Sequence, residues 1–209
     1  MALAQLRLSP LIPRIAVILF AVLMATYLIA AALMRYYSYN SPCYDFGIFC
    51  QMFHSMKTTG LPVTTCERNT PMSHFAVHVS PIYYVLLPFY MIVPRPETLL
   101  VLQVIAVLSG VIPLWLLGRH FRLSERVGAV LCLMYLGCAA LTGGIFYDLH
   151  ENKMLTPLLL WLFCAVEKKN RPLILLFTLL TLTVKEDAAL YIIFIGPWLL
   201  LSRPQKITG

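Results

Sequence analysis

The chain has 209 residues, of which 60% are hydrophobic and 12% charged, and its mean hydropathy is +0.80. An ordinary soluble domain is excluded, because the apolar residues come in long blocks and not at amphipathic spacing. The net charge of +7 does not point to nucleic acid, since the basic residues cluster between apolar blocks and no basic stripe interleaves with exposed aromatics.

The first block, Ile15 to Met34, carries no charge and reaches the ~20 apolar residues that a spanning helix needs. Arg7 and Arg14 precede it, so it reads as an uncleaved anchor or as a signal peptide. Its length favours the anchor, while Ala30-Ala31-Ala32 keeps the cleaved form open. The segment from 35 to 96 is too long for a connector and holds two helix candidates. Phe46, Phe49, Cys50 and Phe53 recur at i, i+3, i+4 and i+7, one apolar face of a helix lying along the membrane. Ser80-Pro81 reads as an N-cap followed by Pro at the first helical position, opening a helix from Ile82 to Val93 that Pro94-Arg95-Pro96 ends.

Two clear spans follow, Leu99 to Leu117 and Val127 to Phe146. A shorter one runs from Met154 to Val166. The last apolar region, Leu173 to Leu201, is broken by Lys185-Glu186-Asp187. Each half has about 13 residues, or ~20 Å of helix against a hydrocarbon core of ~30 Å. The triplet is therefore expected at a thinned face or at the end of short helices in a wet cavity. Arg7 and Arg14; Arg119, Arg122 and Arg126; Lys168, Lys169 and Arg171; and Arg203 and Lys206 fall on one side if the spans alternate. The positive-inside rule makes that side the cytoplasm. Seven of the nine carboxylates (Asp45, Glu67, Glu97, Asp148, Glu151, Glu186 and Asp187) then share the other face. The expectation is an all-α polytopic membrane protein with about six crossings, both termini inside, and juxtamembrane helices in the first outer loop.

Several outer-face residues could carry chemistry. Asp45, amid aromatic bulk, reads as a general base for a hydroxyl or as the N-cap of the helix that follows. His74 and His78 have the i, i+4 spacing of a metal pair, but Ser80-Pro81 places the helix start after them, so one lining a polar site is the simpler expectation. Asp148, His150 and Glu151 could bind a divalent cation or a hydroxylated ligand, or could merely keep a loop in water. Lys185, beside Glu186 and Asp187, could meet a lipid-linked phosphate or self-neutralise with its acidic neighbours. Cys132, Cys138 and Cys164 lie in apolar blocks, whereas one pair among Cys43, Cys50 and Cys66 could bridge in an oxidising compartment. Gly143-Gly144 suits close packing or a helix end, and there is no phosphate-binding Gly-rich loop.

Taken in order, Tyr-Asp-Phe-Gly-Ile-Phe from Tyr44, His-Val-Ser-Pro-Ile-Tyr-Tyr from His78, Tyr-Asp-Leu-His-Glu from Tyr147 and Val-Lys-Glu-Asp from Val184 resemble the N-terminal part of a GT-C superfamily membrane glycosyltransferase. More closely they resemble a bacterial membrane family of unknown function, number twenty seventy-nine. The resemblance covers about Arg14 to Leu201. It implies transfer of a sugar from a polyprenyl-phosphate carrier to a cell-envelope glycan, lipid or protein at the outer face of the bacterial cytoplasmic membrane. By the same resemblance Asp45 is the base, Lys185 contacts the donor phosphate, and His78 and Glu151 line the acceptor or metal region, with a divalent cation as the one cofactor implied. Asp148, His150 and Glu186 complete the expected substrate-binding set. GT-C proteins typically continue for further spans, so the chain is expected to be one truncated GT-C-like module. The competing readings are a small transporter or channel, with the outer acids lining a path, and an inactive assembly subunit.

Overall fold

The computed structural model describes residues 11–41, 43–147 and 149–202. Arg7, Asp148, Arg203 and Lys206, together with the Cys43 side chain, lie outside the described residues. Among the described residues the fold is all-helical apart from one short hairpin. Helix α1 (Leu11–Tyr37) is built from the charge-free block, with Arg35 in its last turn, where a cation suits the carbonyl end. Helix α2 (Cys43–Thr59) buries Phe46, Phe49 and Phe53 as the spacing predicts, and Met52 and Met56 widen that face. It ends at Gly60, whose φ of +78° carries the left-handed turn and whose N–H donates to the Met56 carbonyl at 3.0 Å.

Strands β1 (Val63–Thr64) and β2 (Met72–Ser73) pair antiparallel, Val63 with Ser73 and Thr64 with Met72. Sequence reading did not find this hairpin. It is anchored from outside itself: the Gln51 side-chain carbonyl on α2 accepts from the Thr64 hydroxyl and the Thr65 N–H, both at 2.8 Å. A single 3-10 turn, His74–Ala76, leads on to α3 (Ile82–Ile92).

Helix α3 starts where expected but not as expected. Ser80 makes no side-chain cap, and its buried hydroxyl has no hydrogen-bond partner. Instead the Ile82 N–H donates to the Thr183 carbonyl at 2.8 Å. A backbone group from more than 100 residues downstream thus satisfies one of the open N–H groups at this terminus.

Helices α4 (Pro96–Leu108) and α5 (Val111–His120) form one interrupted rod, and α6 (Glu125–Leu136) passes through α7 (Ala139–Thr142) into a 3-10 segment, Gly143–Tyr147. Gly143-Gly144 therefore marks a helix end, and a Cβ on Gly144 would sit 2.4 Å from the Lys153 ammonium. A further 3-10 turn, Glu151–Met154, opens α8 (Leu155–Glu167). After it come α9 (Arg171–Leu182), capped by the Asn170 side chain, and α10 (Ala188–Ser202). Leu149, in the link before the Glu151–Met154 turn, is buried in the main core with Phe53, Tyr83, Leu99 and Val184.

Three rods, Leu11–Tyr37, Pro96–His120 and Glu125–Tyr147, are long and apolar enough to cross a membrane. The remaining helices expected as crossings are shorter: the 12 residues of α9 give about 18 Å at ~1.5 Å per residue. Leu19, Leu23, Met134 and Phe194 are well exposed, as suits a surface that meets lipid tails.

Side-chain contacts tie the helix ends into two groups. At one end Tyr37 donates to Glu97 at 2.7 Å, Tyr147 to Asp45 at 2.7 Å, and Glu186 contacts His78 at 3.1 Å. At the other, Arg14 holds Glu125 at 2.6 Å and His120 approaches Glu167 at 3.9 Å. Single cysteines at Ser55 or Asp187 should therefore react with a membrane-impermeant maleimide from one side of the membrane, and cysteines at Ser124 or Asn170 from the other. Labelling of Ser55 and Ser124 from the same side contradicts this arrangement.

Candidate functional site

A cavity of about 360 Å³ opens beside the first turn of α2, and Asp45, Glu67, Arg68, His74, His78, His150 and Glu151 line it. Asp45 lies inside the first turn of α2 and not before it, so it favours the helix through its charge near the N-terminus and is not the N-cap. Its Oδ2 accepts from the Tyr147 hydroxyl, which stands in the same short stretch as His150 and Glu151.

Glu151 is the centre of the polar network. Its side chain is 1% exposed, and a buried carboxylate is tolerable only when paired. Oε2 accepts from the Tyr83 hydroxyl at 2.5 Å and lies 3.3 Å from His150 Nδ1. Oε1 lies 3.3 Å from the Lys185 ammonium, an electrostatic contact without an aligned hydrogen bond. Burial opposes its charge, yet Tyr83, His150 and Lys185 together hold the Glu151 carboxyl below the usual carboxylate range. Burial, followed by the neighbouring Glu151 charge, pushes the Tyr83 phenol well above its ordinary value. The His150 ring is pushed down, first by burial and then by Lys185 and Lys153, against the opposing pull of Glu151 and Asp45. Its backbone N–H is fixed by the Gln103 side chain at 2.7 Å, from the middle of α4.

The structure thus brings Asp45, His78, His150 and Glu151 to one cavity wall, while Lys185, 14% exposed, stands behind Glu151. Glu186 sits at the rim, where its carboxylate accepts from the Val79 N–H at 3.1 Å and meets His78. His74 and His78 both line the cavity without sharing a helix, their ring centroids 6.3 Å apart. Asp148 lies outside the described residues.

A cation held by His78 and Glu151 does not fit this arrangement. His78 is turned to Glu186, Glu151 is taken by Tyr83 and Lys185, and no three His, Cys, Asp or Glu side chains form a metal-ligand set among the described residues. Cys66 is a free thiol whose sulfur lies 3.1 Å from the Gln51 side-chain carbonyl, so neither pairing that includes it is formed.

The Tyr-Asp-Phe, His-Val-Ser-Pro, Tyr-Asp-Leu-His-Glu and Val-Lys-Glu-Asp stretches all meet at this network, and a family model matches residues 35–209. The chain belongs to DUF2079, a family of predicted membrane proteins. No curated protein and no solved structure matches it. Within this family match lie both the cavity and the residues that sequence reading did not assign to it: Glu67, Arg68, Tyr83, Tyr147 and Gln103.

The His150 shift has a measurable consequence. A ring held below the free value of ~6.5 binds its proton less readily when folded than when unfolded. Its contribution to stability is therefore complete above ~6.5 and is lost as pH falls through the lowered value. Glu151 has the same sign further down, complete above ~4.3 and lost below it. Thermal stability in detergent should be level above about pH 7 and decline as the pH falls below ~6.5, and His150→Asn should flatten the start of that decline. An identical decline in the variant contradicts the assignment.

Proposed function

We propose that the protein transfers a glycosyl group from a polyprenyl-phosphate-linked donor to an acceptor hydroxyl at the outer face of the membrane, in the manner of GT-C enzymes. The observation that carries this reading is the meeting on one cavity of Asp45, His78 and the adjacent His150 and Glu151, drawn from three separate stretches of the resemblance. Proximity of this kind is what a transfer between two bound substrates requires. Orientation enters the same proposal: the basic links on the cytoplasmic side, the cavity on the outer side, in a bacterial plasma membrane.

Asp45 is the base. Its carboxylate, oriented by the Tyr147 hydroxyl, takes the proton of the acceptor hydroxyl as the oxygen attacks the anomeric carbon. The Lys185 position behind Glu151 supports a positioning role, with its ammonium balancing the buried carboxylate. Arg68, exposed on the cavity wall, is better placed to meet the donor phosphate. A transporter path is less well supported. Among the described residues, α4, α6, α8 and α9 carry no charged side chain away from their ends, whereas a path needs polar groups along its length.

Asp45→Asn should leave the protein inserted, with only the small stability loss of one first-turn charge, while slowing transfer roughly 10²- to 10⁴-fold. Tyr147→Phe, which removes only the orienting hydroxyl, should slow it less. Release of polyprenyl phosphate in detergent, with membrane yield as the control, measures both. Full activity in the Asn variant removes Asp45 from the chemistry.

A further inference from the structure

The β1–β2 pairing places Glu67 and His74 together across the hairpin, with a Glu67 carboxylate oxygen on His74 Nδ1. Their side chains are 8% and 5% exposed, yet both residues belong to the cavity wall. A carboxylate in an ion pair only accepts, so Nδ1 carries the hydrogen and Nε2 is left as the exchanging nitrogen. That Nε2 is buried and has no hydrogen-bond partner, and neither has Glu67 Oε2. A buried, unpaired polar atom is destabilising, and a simple hairpin staple has no need of two of them. The ring plane is held by Phe49 edge-on at 5.5 Å and by Tyr83 at 6.0 Å. The pair is a preoriented imidazole on a binding cavity, lacking only the ligand atom that would complete it.

We propose that His74, oriented by Glu67, is the proton donor to the departing phosphate of the lipid-linked donor. The proposal rests on the glycosyl-transfer reading and supplies what that reading leaves open. Asp45 accounts for the proton leaving the acceptor, and Arg68 can meet the charge of the phosphate, but a guanidinium does not give up a proton to the oxygen that departs with the bonding pair. In the step, Asp45 takes the acceptor proton and the acceptor oxygen bonds to the anomeric carbon. The bond from that carbon to the phosphate oxygen breaks, and the electron pair stays on the phosphate. His74 enters the step with hydrogens on both ring nitrogens: the one on Nε2 passes to that oxygen, the one on Nδ1 stays hydrogen-bonded to Glu67, and the proton gained by Asp45 returns through solvent before the next turnover. Glu67 does not touch the substrate; it is a positioning residue that sets which ring nitrogen faces the donor.

The test compares leaving groups. Purified wild type and variants are given polyprenyl-phosphate-linked glucose, mannose and galactose, and separately the matching glycosyl fluorides, whose leaving fluoride requires no proton on a phosphate oxygen. His74→Gln should slow release of polyprenyl phosphate roughly 10²- to 10⁴-fold while leaving fluoride release little changed. Retained fluoride release also shows that the variant is folded. Glu67→Gln, which keeps an acceptor for Nδ1, should show the same selective loss at smaller size. Asp45→Asn should slow both donors. Equal losses on both donors, or no loss on either, for both His74→Gln and Glu67→Gln overturn the proposal while leaving the glycosyl-transfer reading in place. A wild type that turns over neither donor class overturns the two together.

Discussion

A carboxylate removed from water carries an effective penalty of several kcal/mol unless other groups compensate it, and Glu151 is such a carboxylate. Its three partners come from three places: Tyr83 on α3, His150 in the preceding link, and Lys185 between α9 and α10. None of these segments can move far without leaving a buried charge uncompensated. Two further contacts reinforce the same junction. The Thr183 carbonyl receives the Ile82 N–H at 2.8 Å, and Glu186 receives the Val79 N–H at 3.1 Å. Residues 183–186 therefore lock the region 78–83 at three separate points, and the short helices α9 and α10 act as the support for that lock.

The cavity follows from this junction. With α3 fixed over the bundle, the aromatic face of α2 packs against it through Phe49 and Phe53, each 5.5–5.7 Å from the Tyr83 ring. The rest of the first turn of α2, with Asp45, is left facing the link that holds Tyr147 and His150. The hairpin, tied to α2 by Gln51, closes the remaining side with Glu67, Arg68 and His74. Acids and imidazoles then surround a space of about 360 Å³. In the proposed reaction this gives a proton acceptor and a proton donor on separate supports, so that each can be held in its own environment.

Much of the scaffold was legible because it obeys local rules. The charge-free block appears as α1, the i, i+3, i+4, i+7 phenylalanines are the buried face of α2, and Lys185-Glu186-Asp187 interrupts α9 and α10 as the pattern predicts. The site was legible only in part. Asp45, His78, His150 and Glu151 stood out as polar residues beside apolar blocks, and they share the cavity. What completes them is non-local: Tyr83 lies 68 positions from Glu151, and Tyr147 lies 102 positions from Asp45. No periodicity reports such pairs. Ser80 misled for the same reason, since Ser-Pro is a sound local cap signal that a distant carbonyl overrode. Glu67 and His74 were separated by a hairpin too short to announce itself in hydropathy.

Labelling with a donor is the most direct measurement of whether the Glu151 junction builds the proposed site for a lipid-linked sugar. A polyprenyl-phosphate-linked sugar bearing a photoreactive diazirine on the sugar ring would be irradiated with the protein in membranes, and the labelled peptides sequenced. The account predicts labels on residues 43–50, 64–80 and 149–153, competed away by unmodified donor and lost when Lys185→Met releases the junction. Labels confined to the Arg14–Glu125 end of the bundle, or a pattern unaffected by unmodified donor, would contradict it.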